Sequence, residues 1–242
     1  MNKVESLIEE MTNLYDADQS VQLSRFFKTG KGEYGEGDKF LGIKVPMTRS
    51  IVKRYKKSIS LEDVEKLIKS VWHEIRLAGF LLLLELYRDA IKNKKIEDAK
   101  FLVDYYLEHI NYSNNWDLVD LVCEYILGDW ILKNPGEEKI LLELSDKGGF
   151  LWHQRVAIVS TLTLIREGKF ELTFRIAEKY LYHDHDLIHK ATGWMLREVG
   201  KKGGKEELVL FLNKYKSVMP RTMLRYSIEK FDEDERRFFM KK

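Results

Sequence analysis

The sequence predicts an all-α protein, and three observations carry that expectation. Hydrophobic residues recur at helical spacing almost throughout, with no convincing alternating stretch and no Asn-Gly or Asp-Gly hairpin signal. Only three prolines occur, Pro46, Pro135 and Pro220. Each precedes an amphipathic run, where the first turn of a helix tolerates a missing N–H. The glycines cluster at Gly30, Gly32, Gly35 and Gly37, at Gly148-Gly149 and at Gly203-Gly204, and read as punctuation between helices.

The elements follow in order. A glycine-rich linker over residues 28–40 leads to a basic helix after Pro46. Trp72-His73 opens a long apolar helix to about Tyr87, and Asn115-Trp116 opens another to about Leu132. Trp152-His153 opens a third to about Arg166, and Ile188-His189 lies early in a fourth that ends near Gly200. These anchors stand 44, 36 and 36 residues apart, and each long helix is followed by a more polar one, such as residues 96–110 or 137–147. Two helices per unit at roughly 40 residues is the period of HEAT-like solenoids. The expectation is therefore one curved domain over residues 1–242 with a concave binding face, residues 1–45 and 205–242 forming its capping ends.

Composition narrows the class. The 242 residues suffice for a real core, and 44% hydrophobic with 33% charged residues excludes a disordered chain. Lys and Arg number 41 against 39 Asp and Glu, so the net charge of +2 excludes a globally basic coat but not a locally basic face. The single cysteine, Cys123, excludes a disulfide scaffold or cysteine-ligated metal and is expected to pack as a small hydrophobe. The longest apolar run, residues 78–84, is too short to cross a bilayer, and the acidic N-terminus lacks signal-peptide character. A reduced, cytoplasmic protein is expected.

Polar groups where a core-forming helix does not need them mark the candidate sites. Over residues 186–202, Ile188, Thr192, Met195 and Val199 fall in one stripe expected to be buried. Lys190, Trp194, Arg197 and Lys201 fall in a second, almost opposite. An exposed Trp among three cations fits a nucleic-acid surface, cations meeting phosphates and the ring meeting a base or sugar; a solvated face with one stray aromatic is the alternative. Asn114 is expected to cap the next long helix, and Asp117 in its first turn is accounted for by the helix dipole. There Leu118, Leu121, Val122, Tyr125 and Ile126 form the core stripe, while Trp116 and Asp120 project together at i and i+4. Cys123 and Leu127 give Asp120 apolar flanks, which leaves it either a site carboxylate or a surface ion pair. Arg155 lies in a run apolar nearly all round and needs a carboxylate or phosphate, a structural salt bridge being the plain answer. One repeat separates Arg155 from both other helices, which allows all three to share one wall. Finally, residues 39–57 carry Lys39, Lys44, Arg49, Lys53, Arg54, Lys56 and Lys57 without an acidic residue, a candidate phosphate-binding stripe.

Other signals are weaker. His183-Asp184-His185-Asp186 with His189 lacks the glutamate of a zinc-protease helix, and Asp184 or Asp186 reads better as a helix cap, so no metal is expected. Gly30-Lys31-Gly32 is not followed by the Lys-Ser/Thr of a phosphate loop, and no Ser–His–Asp or Cys–His arrangement is suggested.

Several runs resemble a known family. Asn115-Trp116-Asp117-Leu118-Val119-Asp120, Leu127-Gly128-Asp129, Trp152-His153-Gln154-Arg155-Val156-Ala157-Ile158 and Lys190-Ala191-Thr192-Gly193-Trp194-Met195-Leu196-Arg197-Glu198 are similar to those of the AlkD-type DNA alkylation repair glycosylases. Phe40-Leu41-Gly42-Ile43 followed by Val45-Pro46 adds to a resemblance that covers most of the chain. It implies a HEAT-like repeat fold and excision of positively charged N3- and N7-alkylated purines from duplex DNA without deep base flipping, with no metal or organic cofactor. By position it implies Asp120 as the catalytic carboxylate, Trp116 and Trp194 as cleft tryptophans, and Arg155 and Arg197 as DNA-contacting arginines. The linker at residues 28–40 is longer than the family pattern, which bears on a DNA-contacting helix near residues 21–28. The residue reading adds Lys190, Lys201, Lys44, Arg49 and Lys53 as DNA-binding cations. A cationic base is already an activated leaving group, so one carboxylate beside an exposed Trp suffices for an oxocarbenium-like transition state. A monomeric, nucleoid-associated enzyme is expected. A binding-only paralogue and a HEAT-type interaction scaffold are the other classes.

Overall fold

The computed structural model describes residues 2–241 and bears out the all-α expectation. No β-strand occurs among the described residues, only an isolated parallel bridge between Lys39 and Trp72. No helix there is long and apolar enough to cross a membrane. The chain divides into two compact units, Met1–Val122 and Cys123–Lys242.

The first unit holds α1 (Lys3–Thr12), α2 (Ala17–Phe26), α3 (Val45–Tyr55), α4 (Leu61–Ile68), α5 (His73–Lys92), α6 (Ile96–His109) and α7 (Trp116–Asp120). Local chemistry explains the starts. Asn2 with Glu5 and Ser60 with Asp63 form capping boxes for α1 and α4, and Pro46 lies in the first turn of α3. Every residue from His73 to Leu84 is buried, because α5 packs on α3, α4, α6 and α7. A helix covered on all sides must be apolar nearly all round, which is what its sequence shows. In contrast, α2 has no fully buried residue, and its last residue, Phe26, is 61% exposed.

The second unit opens with a π-helical turn (Glu124–Gly128) and α8 (Asp129–Lys133). It continues with α9 (Lys139–Ser145), α10 (Leu151–Val159), α11 (Thr161–Arg166), α12 (Glu171–Lys179), α13 (Asp186–Lys201), α14 (Lys205–Tyr215), α15 (Arg221–Ser227) and α16 (Glu233–Met240). Here α10 and α13 are the central helices, α10 packing on α9, α11, α12 and α13, and α13 on α11, α12, α14 and α15. The approach of α15 to α13 requires Gly193, where a Cβ would lie 2.5 Å from the Met223 carbonyl oxygen. The stripe Ile188, Thr192, Met195 and Val199 is fully buried as expected.

Two long helices differ from expectation. The stretch expected from Asn115 to Leu132 is α7, the π turn and α8 in succession. The Thr163 hydroxyl donates to the Glu124 carbonyl at 2.7 Å, giving a π-turn carbonyl a side-chain partner. Leu121 and Tyr125 are half-buried, while Leu118, Val122 and Ile126 lie in the core as expected. The stretch expected from Trp152 to Arg166 is interrupted at Ser160. There the Thr161 hydroxyl donates to the Ile158 carbonyl at 2.7 Å, the back-bonding by which Ser and Thr disturb a helix ladder.

Candidate active site

Trp116 and Asp120 occupy the two ends of α7 and are both half-buried. The helix cap is Asn115, whose side-chain oxygen accepts from the Trp116 N–H at 2.9 Å, and not Asn114. Asn114 instead accepts from the Arg76 guanidinium at 3.0 Å. The Phe27 ring stacks on the Trp116 indole with centroids 5.0 Å apart, and Phe26 meets it edge-on at 5.8 Å. One face of the indole is therefore backed by an aromatic wall of the same unit, the arrangement that presents a rigid π surface. Asp120 lies one helical turn along α7 from Trp116.

Asp117 departs from its sequence reading. A residue explained by the helix dipole alone would sit in solvent, but Asp117 is buried and its carboxylate accepts from His73 Nε2 at 2.9 Å. His73 Nδ1 donates to Asp38 at 2.7 Å, and Arg76 forms a second charged hydrogen bond to Asp38. Burial by itself lowers the His73 imidazole, yet the two flanking carboxylates outweigh it and hold His73 at about 9. Burial raises the Asp38 carboxyl, but the hydrogen bonds and charges of His73 and Arg76 together hold it below the ordinary carboxylate range. Next to them, buried Glu74 accepts from the backbone N–H groups of Leu41, Gly42 and Ile43 at 2.8–3.0 Å and so fixes the Phe40–Ile43 run. Of these buried groups the sequence marks only Asp117, as a helix-dipole residue, and His73, as a helix start; Asp38, Glu74 and Arg76 carry no mark in spacing or periodicity. The available signal was polar His73, Glu74 and Arg76 opening an otherwise apolar helix.

In the second unit the expected residues are placed as follows. Arg155 is 5% exposed, and its guanidinium donates to the Leu187 carbonyl in the first turn of α13 at 2.8 Å. Trp194, expected to be exposed, is half-buried and lines a cavity of about 200 Å³ with Leu162, Ile165, Arg166, Glu198 and Lys202. The cations of its stripe all have carboxylate neighbours. Lys190 pairs with Asp186 at 2.8 Å, Lys201 with Glu198 at 2.7 Å, and Arg197 with Glu198 and Glu229. The histidine cluster serves local structure. His185, and not Asp184 or Asp186, caps α13 through its ring nitrogen, His183 meets Gln154, and His189 meets the His183 carbonyl. Among the described residues no group of three or more His, Cys, Asp or Glu is arranged to hold a metal ion.

The basic segment of the first unit divides in two. Arg54 pairs with Glu10 and Lys56 with Glu85. Lys44, Arg49 and Lys53 are exposed and make no ion pair among the described residues. Arg49 and Lys53 border a groove of about 190 Å³ with Lys56, Glu85 and Arg88, along the packing line of α3 on α5.

Comparison with known proteins follows the same direction. No curated protein matches the sequence. Among solved structures, one described as a predicted DNA alkylation repair enzyme from Enterococcus faecalis aligns with a TM-score of 0.69 at 18% identity, covering 90% of this chain and 97% of that one. At that identity the likeness is one of fold. Residues 7–231 match the family of DNA alkylation repair enzymes. The match takes in α7 with Trp116 and Asp120 as well as Arg155, Trp194 and Arg197, and on it the chain belongs to the DNA alkylation repair enzyme family.

Proposed function

We propose that the protein is a DNA glycosylase that hydrolyses the N-glycosidic bond of positively charged N3- and N7-alkylated purines in duplex DNA. The observation that carries this reading is α7 itself, a half-buried indole backed by Phe27 with a half-buried carboxylate one turn away. A cationic purine leaves when the C1′–N bond breaks and its electron pair passes to the base, which departs neutral. No proton donor is needed. Positive charge develops on the sugar instead, where Asp120 stabilises it and orients a water that adds to C1′ and gives up its proton to the carboxylate or to solvent. Trp116 offers a π face to the cationic nucleotide, worth about 0.5–2 kcal/mol. Trp194 is assigned the same part in the second unit.

Phosphate binding is assigned first to Lys44, Arg49 and Lys53, exposed and without ion pairs among the described residues. Lys190, Arg197 and Lys201 are assigned a smaller share, since each would exchange a carboxylate for a phosphate. Arg155 is assigned to holding the first turn of α13, which carries Lys190 and Trp194. The repeated pairing of long and short helices supports a HEAT-like reading of the chain, and no metal or organic cofactor enters the scheme.

The test is release of free base from duplex DNA methylated at N7 of guanine and N3 of adenine, under single-turnover conditions. Both cationic bases are expected in solution, while neutral uracil and hypoxanthine stay in the duplex. Tight, salt-dependent DNA binding with no release of any base would replace this reading by a binding-only role.

A further inference from the structure

The helix that carries Trp116 and Asp120 is five residues long, too short to hold its own shape, because a helix nucleus fixes several residues before hydrogen bonds repay the cost. Its neighbours must therefore place it. Asn114, before Trp116, is bound by Arg76, and Asp117, after it, by His73. Both partners belong to α5, three residues apart, and both also hold Asp38 at the end of the glycine-rich linker. Aromatic rings join the same two points. Phe40 stacks on His73 with centroids 4.3 Å apart, Phe27 on Phe40 at 5.1 Å, and Trp116 on Phe27 at 5.0 Å. A continuous column of rings thus runs from a buried imidazole to the half-buried indole.

We propose that His73, gripped by Asp38 and Asp117, is a positioning residue that sets the plane of the Trp116 ring and the heading of α7. The consequence for base release rests on the glycosylase reading above; the consequence for Trp116 does not.

The geometry requires the charged form of His73. Both ring nitrogens lie within 2.9 Å of carboxylate oxygens, so both must donate, and a neutral ring would aim a lone pair at one carboxylate. The charged groups around it balance: Asp38 and Asp117 face the ring and Arg76 faces Asp38, while Glu74 is turned to the N–H groups of Leu41, Gly42 and Ile43. With the imidazole held at about 9, the grip lasts through neutral pH and loosens in alkaline solution.

The experiment labels tryptophan with ¹⁵N and follows the indole N–H resonances of the wild type and of His73→Gln between pH 7 and 10. Trp116 is identified by the resonance lost in Trp116→Phe. In the wild type its resonance is expected to move with a midpoint near 9, and in His73→Gln it is expected to be displaced at pH 7 and insensitive to pH. The same variant should bind DNA within about threefold of the wild type but release 7-methylguanine at least about 10-fold more slowly, as misplacement near the reacting atoms does. Should His73→Gln fail to fold, the wild-type titration decides alone. A Trp116 resonance that stays still across this range, or a folded His73→Gln that releases base at the wild-type rate, would overturn the proposal. A titrating Trp116 in a wild type that releases no base would support the positioning role and count against the glycosylase reading.

Discussion

Raising the pH from 6.5 to 9 should cost the first unit stability through His73 alone. The residue is 1% exposed, and its imidazole, ordinarily near 6.5, is held at about 9 by Asp117 and Asp38 against the opposing effect of burial. The unfolded chain releases this proton near 6.5 and the folded protein keeps it until about 9. Between those values the native state binds one more proton, and stability falls by about 1.4 kcal/mol per pH unit. The contribution is complete below pH 6.5 and lost as pH rises through the folded value, for a total of about 3 kcal/mol as an order of magnitude. His153 acts elsewhere on the scale. Burial and Lys147 depress it to about 4, so its contribution is present above 6.5 and lost as pH falls toward 4. Urea unfolding followed by circular dichroism at pH 6.5, 7.5 and 8.5 would measure the slope in the wild type and in His73→Gln, reading the transition of Met1–Val122 if the two units unfold separately. The wild type should lose stability across this series while the variant stays nearly level. Parallel pH dependence in the two proteins would refute the assignment of a charged His73 between two carboxylates.

Three further outcomes are expected. Trp116→Leu and Trp194→Leu should each slow excision of cationic bases by about 2- to 30-fold, the rate equivalent of roughly 0.5–2 kcal/mol, with the fold unchanged by circular dichroism. Arg49→Ala and Lys53→Ala should each lower the slope of log affinity against log salt by about one unit in anisotropy titrations, whereas Lys190→Ala, Arg197→Ala and Lys201→Ala should lower it less because those cations already hold carboxylates. Gly35→Ala should lower the melting temperature, since its Cβ would lie 2.5 Å from the Phe27 carbonyl oxygen and 3.1 Å from the Asn115 side chain, a crowding that costs about 1–3 kcal/mol.

Helical periodicity was readable because burial imposes it: α5 is apolar nearly all round and buried nearly all round, and the Ile188, Thr192, Met195 and Val199 stripe of α13 lies where its spacing predicts. Interruptions were less readable. At the π turn of Glu124–Gly128 and the break at Ser160, side-chain hydroxyls of Thr163 and Thr161 donate to backbone carbonyls, and such bonds leave no periodic trace. Trp116 and Asp120 stood out at i and i+4, but what holds them did not. Asp38, His73 and Asp117 are separated by tens of residues, and only the packing of α7 on α5 shows that Asp117 answers a buried charge instead of the helix dipole. The carboxylate neighbours of the α13 cations were equally hidden, because Glu198 and Glu229 supply negative charge from beside their stripe.

The proposed chemistry turns on Asp120, which would stabilise the sugar cation as an alkylated base departs. Single-turnover release of 7-methylguanine by the wild type and by Asp120→Asn, with DNA affinity and folding checked in parallel, tests it most directly. The variant is expected to fold, to bind methylated duplex as the wild type does and to release the base about 100-fold more slowly or worse, the scale of losing one electrostatic stabiliser. A folded Asp120→Asn protein that releases 7-methylguanine at the wild-type rate would contradict it.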